Sequence, residues 1–518
     1  MTATIPGTMP KRELYFVFGA LMLGMLLAAL DSTIVATALP TIVGDLHGAN
    51  HLSWVVVAYL LASTVSTPLW GKLGDLHGRK IYFQAAIIIF LIGSMLCGLA
   101  HSMLTLILFR AFQGLGGGGL MVGAQAVIAD IVPPRDRGRY AGFFGATFGA
   151  ATVLGPLLGG VIVEYWSWRW IFFVNLPFGI VALVVTAAAL PNAGVRLQHV
   201  IDYAGIITLT ISASALILFT SLGGTSFAWG SGKSIGLLVG GIVFAAIFML
   251  LERRSSEPVL APRLFKNRVF ASGSAIGFVV GFAMFGAMTF LPLFLQEVRG
   301  VSPTSSGLRL LPMMVGLFGA SIFAGQLVSK GWRYRPFPIV GTVVMTLGLV
   351  LMSTIGVATS SLTMGIYMLV LGVGLGLVMQ ILVTAVQNAV PHADLGAATA
   401  GANFFRSIGG SFGTAVFGAL YANELPHQLA AGFKGYPVPI GKLSPSGFTP
   451  AALHKLPAPE LAIILHAIAS TIQHIYLVAT PFGILAILLS LTLPEIKLRT
   501  SLHHIADEVP MSNADPLA

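Results

Sequence analysis

Charge is scarce in this sequence. Only 9% of its 518 residues are Asp, Glu, Lys or Arg, against about 25% in soluble domains. Hydrophobic residues reach 56% and the mean hydropathy is +0.89. Such a chain cannot clothe a soluble surface, which excludes a soluble enzyme, a nucleic-acid binder and a disordered protein. Cysteine is nearly absent, and the single Cys97 rules out an intramolecular disulfide. It lies in an apolar stretch and reads as a small core residue. No His pair has the spacing of a zinc helix. The glycine run Gly114–Gly119 has no strand before it and no Lys-Ser/Thr after it, so no phosphate loop is present. Neither a metal, a cofactor nor ATP drive is therefore expected of this chain.

Long apolar runs are abundant. A bilayer span needs about 20 mostly apolar residues. The sequence offers fourteen, at about 14–39, 52–73, 81–100, 102–129, 139–163, 168–190, 201–222, 234–251, 270–296, 306–329, 336–357, 362–388, 396–422 and 471–493. Helix is the expected state of each. The first run is too long for the apolar region of a signal peptide. Fourteen spans place both termini on one side. With that side cytoplasmic, nineteen of the 28 Lys and Arg fall in inner loops. This asymmetry orients the chain in a cell (inner) membrane and explains its net charge of +10 without nucleic acid. The longest connection, about 423–470, lies outside and carries seven prolines from Pro426 to Pro459, which disfavour long helix. The polar tail runs on the inside.

Gly71, Leu73 and Arg79 recur at the same offsets as Gly325, Leu327 and Arg333. Both stretches follow the second span of a six-span half. The expected plan is a cytoplasmic segment 1–13, a six-helix bundle over 14–190, two inserted helices over 201–251, an inner loop 252–269, a second bundle over 270–493 and an inner tail 494–518. Two such bundles are a transporter plan, with a cavity at their interface near the bilayer midplane.

Asp31 is the central residue. A carboxylate inside a span costs about 2.5–3.5 kcal/mol on insertion scales, so it must face water, pair with a cation or bind a proton. A group alternating between those states is a proton carrier; a static ion pair is the plainer reading. Asp31 precedes Pro40 by nine residues, ~14 Å along a helix, and Arg110 follows Ser102 by eight, ~12 Å. The two sit at one depth if spans 1 and 4 adjoin. At the 2–3 turn, Gly71, Asp75, Gly78, Arg79 and Lys80 form a charged cluster, with Asp130 or Asp136 as partner for Arg79, and read as an inner gate or a solvated basic loop. Gly155, Pro156, Gly159 and Gly160 in span 5 allow close helix packing or a hinge. Gln113, Asn175, Gln380, Asn403 and Arg406 are polar groups inside spans that face the bundle and its possible substrate cavity. Arg406 has no acid in its own span to pair with.

These stretches carry a family resemblance. Gly71–Lys80 resembles the loop 2–3 signature of the major facilitator superfamily, Leu108–Gly116 its span-4 signature, and Gly155–Gly160 its antiporter motif. Leu30–Pro40, Trp168–Pro177 and Phe404–Gly410 are similar to segments of its fourteen-span drug:proton antiporters. The resemblance implies an all-α integral membrane protein of fourteen transmembrane helices, two six-helix bundles plus two inserted helices. It implies that Asp31 couples protons with Arg110, and that Asp75 with Arg79 gates the inner side. It implies export of hydrophobic or cationic compounds against protons. The expected partners are amphiphilic or cationic small molecules, protons and the lipid bilayer, and the expected state is a monomer, with room left for a periplasmic adaptor. Relatives exporting dications carry further acids in spans 10 and 13, absent here, and Ser329 stands where Asp75 stands in the first half. Export of lipid or cell-envelope precursors on the same fold, and a non-transporting receptor or accessory subunit, remain as alternatives.

Overall fold

The computed structural model describes residues 11–46, 52–132, 134–190, 202–223, 227–255, 258–433 and 457–498. The first half holds α1 (Lys11–Asp45), α2 (Leu52–His77), α3 (Arg79–Gly98), α4 (Met103–Ile131), α5 (Pro134–Tyr165), the short α6 (Trp170–Phe173) and α7 (Asn175–Ala189). Then come α8 (Tyr203–Leu222), α9 (Gly232–Glu252) and α10 (Pro262–Lys266). The second half holds α11 (Arg268–Leu293) with a π-helical turn to Val298, α12 (Pro303–Arg309), α13 (Leu311–Ser329), α14 (Pro336–Met352), α15 (Ser361–Ala389), α16 (Leu395–Gly432) and α17 (Ala458–Leu491).

All fourteen apolar runs are helical. Among the described residues, eleven helices are long and apolar enough to cross a membrane. The runs that fall short lie in α5, α14 and α16. Helix α14 has 17 residues. Helices α5 and α16 pack across the join between the halves, where small and polar side chains replace lipid-facing apolar ones.

The connection expected over 423–470 is much shorter. Helix α16 runs through Pro426 to Gly432 because Leu425 and Leu429 bury its last turns. Pro457 and Pro459, read as breakers, instead open α17, where a missing N–H costs nothing. The residues between, 434–456, lie outside the described residues.

The internal repeat is clearer in packing than in sequence. In the first half α1 packs on α5 and α7, α2 on α4, and α3 on α4 and α7. In the second half α11 packs on α16 and α17, α13 on α15, and α14 on α15 and α17. Position by position these are the same neighbours. The halves join reciprocally, with α2 against α16 and α5 against α13. Gly78 and Gly331 both adopt a φ of 98°, and each closes the tight turn between the second and third spans of its half. The inserted α8 and α9 pair with each other, and α8 lies against α2 and α16, one helix from each half. A cluster of Val65, Leu209, Phe270, Phe404 and Ile408 ties these elements together.

Glycines set the helix spacing. A Cβ at Gly374 of α15 would run into the backbone of Met345 in α14, whereas one at Gly236 of α9 would meet open space. Gly374→Leu should therefore cost at least about 1–3 kcal/mol by overpacking. It is expected to remove the monodisperse peak in fluorescence-detected size exclusion, while Gly236→Leu leaves that peak in place.

Candidate functional site

The Asp31 carboxylate is fully buried, as is Arg110. One carboxylate oxygen accepts from Arg110 Nη1 at 2.5 Å. The other accepts from Gln113 Nε2 at 2.8 Å and Asn175 Nδ2 at 3.3 Å. Arg110 also donates to Gln113 Oε1 at 2.8 Å, and its guanidinium lies 4.2 Å from the Tyr59 ring centroid. Arg110 and Gln113 stand three residues apart on α4, so they share a face and point together at α1. Asn175, at the start of α7, also donates to Ser94 Oγ at 3.0 Å, and Ser94 donates to the Phe172 carbonyl at 2.8 Å. Cys97 donates to Gln113 Oε1 at 3.6 Å. Five helices thus converge on one carboxylate.

Close backbone approach makes this convergence possible. A Cβ at Gly155 would overlap Thr33, and one at Gly159 would press on Ile34 and Thr37, so the glycines of α5 seat α1 two residues past Asp31. Pro156 lies within a continuous α5, and Gly160 is half-buried. Three donors on its two oxygens fix the Asp31 carboxylate in place and tie its position to Arg110, Gln113 and Asn175.

A second cluster closes the end of the bundle that carries the basic loops. Asp75 accepts from Arg79 Nη2 at 2.7 Å. It also accepts from the backbone N–H groups of Gly396 at 3.0 Å and Ala397 at 2.8 Å. Those amides are in the first turn of α16, where the helix carries partial positive charge. Arg79 bonds Asp130 through Nε. Gly71 meets Gly396 backbone to backbone. Lys80 donates to the carbonyls of Ala187 and Leu190, both at 2.7 Å, and so caps α7. Arg263 pairs with Asp394 at 2.7 Å just before α16. Ser329, in the position of Asp75, donates to Gln326 in its own turn at 2.8 Å. Asp136 has no described side chain.

The polar residues grouped by sequence separate in space. Gln113 and Asn175 belong to the Asp31 cluster. Asn403 and Arg406 form another group, in which Arg406 Nη2 donates to Asn403 Oδ1 at 2.6 Å and Asn403 Nδ2 donates to Gln125 Oε1 of α4 at 2.7 Å. Gln380 is half-buried on α15 and its amide makes no hydrogen bond among the described residues. Sequence reading missed Gln125, a lone amide in an apolar helix and as legible there as Gln113. It also missed Tyr59 and Ser94, whose residue types are too common in spans to signal anything. At the opposite end Trp168 and Arg169 both reach Asp45, at 2.8 and 3.2 Å.

Two measurements check these clusters. Asp31→Asn leaves Arg110 buried without its counter-charge, a change of about 3–5 kcal/mol. The melting temperature of the purified protein should fall, and Asp31→Asn/Arg110→Gln should recover part of the loss. Additive losses would mean that the pair is not coupled. Asp75→Asn removes the charge from the bonds to Gly396 and Ala397, a loss of about 1.5 kcal/mol. Hydrogen exchange of the 395–400 amides should then quicken roughly tenfold.

The family profile described as Major Facilitator Superfamily matches residues 21–414. A multidrug transporter protein, MdtP, of Bacillus subtilis is 40% identical over 472 residues, covering 87% of this chain and 86% of its own. An uncharacterized MFS-type transporter of Mycobacterium tuberculosis is 45% identical over 493 residues, covering 95% of this chain and 71% of its own. The solved proton:xylose symporter XylE superposes with a TM-score of 0.60 at 17% identity, over 94% of this chain and 98% of its own, a likeness of fold. The chain belongs to the major facilitator superfamily and is a multi-pass membrane transporter, not an enzyme.

Proposed function

We propose that this protein is a proton-driven exporter of amphiphilic small molecules, working by alternating access in the cell (inner) membrane. The observation that carries the reading is the Asp31 carboxylate, fully buried between Arg110 and two amide donors whose bonds depend on its charge. Fourteen spans with both termini in the cytoplasm put the basic loops on the inner side. The Asp75 clasp on α16 then closes the cytoplasmic end in this conformation. A proton arriving from the opposite side neutralises Asp31 and loosens Arg110. The change passes through α1 and α4 to the join between the halves, and the cytoplasmic end opens to load substrate. Release of the proton inward completes the cycle.

Export of drugs is supported by the name of the Bacillus relative. One pH unit supplies about 1.4 kcal/mol per proton and 100 mV about 2.3 kcal/mol. One proton per neutral molecule therefore sustains a concentration ratio of roughly 500-fold.

Purified protein in proteoliposomes with an imposed pH gradient tests this. Inside-out vesicles should accumulate a fluorescent amphiphile, from a panel of cationic, neutral and acidic ones, only while the gradient stands. Asp31→Asn should bind the compound and fail to accumulate it. Equal accumulation by wild type and Asp31→Asn would sink the proposed coupling.

A further inference from the structure

We infer that Arg406 is the recognition site for an acidic group on the substrate, so that the preferred cargo is an amphiphile carrying a carboxylate, phosphate or sulfonate. The inference rests on the reading of the protein as an exporter. Arg406 lies eleven residues into α16, ~17 Å from its start at 1.5 Å per residue. This is too deep to reach either membrane surface. Its only bond among the described residues goes to a neutral amide, Asn403. A guanidinium has five N–H donors in a planar fork that matches an oxyanion two bonds at a time.

No carboxylate of the described protein stands near it. Helix α16 packs against α2, α4, α8, α11, α15 and α17. Helices α8, α11 and α15 contain no acid at all. The acid of α2, Asp75, sits at the first turn of α16, ~15 Å away along the axis, and is held by Arg79. The acid of α4, Asp130, is held by the same arginine. Glu424 of α16 itself lies eighteen residues further on, ~27 Å away. Glu460 is in the first turn of α17. Asp31 is held by Arg110. Arg110 and Arg79 each hold a carboxylate, the half-buried Arg299 bonds the carbonyls of Val357 and Thr359, and the half-buried Arg406 meets only an amide.

The position suits a substrate. The stem of Arg406 lies against Gly277 and Gly281 of α11, where a Cβ at Gly281 would overlap the Arg406 backbone. The head meets Asn403, which in turn bonds Gln125 of the other half. A purely structural tie between α4 and α16 needs only the two amides. An arginine added to it places an uncompensated charge in the membrane interior with no structural return. An oxyanion that takes the guanidinium frees Asn403 Oδ1, while the Asn403 Nδ2 bond to Gln125 keeps the amide, and with it the site, in place between the halves.

Binding tests the inference independently of transport. The probes are 11-(dansylamino)undecanoate, its uncharged methyl ester, and the lipophilic monocation tetraphenylphosphonium. Wild-type protein in nanodiscs should bind the acid at least tenfold more tightly than the ester, and the acid alone should raise the melting temperature. Arg406→Gln should abolish the preference while keeping ester affinity, and Arg406→Lys should retain part of it. Equal affinity of wild type for acid and ester overturns the inference. So does a preference that survives intact in Arg406→Gln. Should Arg406→Gln fail to fold, the wild-type melting shift and the Arg406→Lys affinities still decide. In proteoliposomes, export of ester and monocation without acid preference removes the anion site and leaves the exporter standing. Acid preference without proton-driven transport of any probe removes the exporter and leaves the site.

Discussion

A carboxylate and a guanidinium buried together in the membrane interior form the interaction on which the first half of this protein depends. Neither charge is tolerable alone in that environment, and together they require every neighbour to supply a hydrogen bond. Arg110, Gln113, Asn175, Ser94 and Cys97 answer that requirement from α4, α7 and α3. The glycines of α4 and α5 follow from it as well, since five helices can meet at one carboxylate only where backbones come close. Among these groups only Asn175 Oδ1 is left without a partner, so the network holds the five side chains in one arrangement.

The two halves are alike in helix packing and unlike in chemistry. Each repeats the same neighbours, and they join by reciprocal pairs of helices. The charges are distributed unequally over that frame. The first half holds the neutral Asp31–Arg110 pair and the Asp75–Arg79–Asp130 clasp. The second half has Ser329 in place of Asp75 and an arginine without an acid. Symmetric packing and asymmetric charge thus give the two halves one frame and different polar chemistry. Helix α8 rests on one helix from each half and so bridges the same join.

Composition and hydrophobic runs by themselves determined that this chain lives in a bilayer as a bundle of helices, because a span must satisfy its backbone internally and advertises itself as unbroken apolar sequence. They also singled out Asp31, Arg110, Asp75, Arg79 and Arg406, because a charge in such a run is conspicuous. The matching depths of Asp31 and Arg110 could be read from helical rise alone. Where the prolines near 426 and 457 fall in helices was not legible, since buried leucines and a favourable first-turn position outweigh the lost hydrogen bond. Only the tertiary structure decided that Asp75 would hold amides more than three hundred positions away, that Gln125 would meet Asn403, and that Gln113 and Asn175 would serve Asp31 rather than an open cavity. Such contacts carry no periodicity along the chain. They arise from which helix lies beside which, and that is set by small residues and close packing summed over the whole bundle.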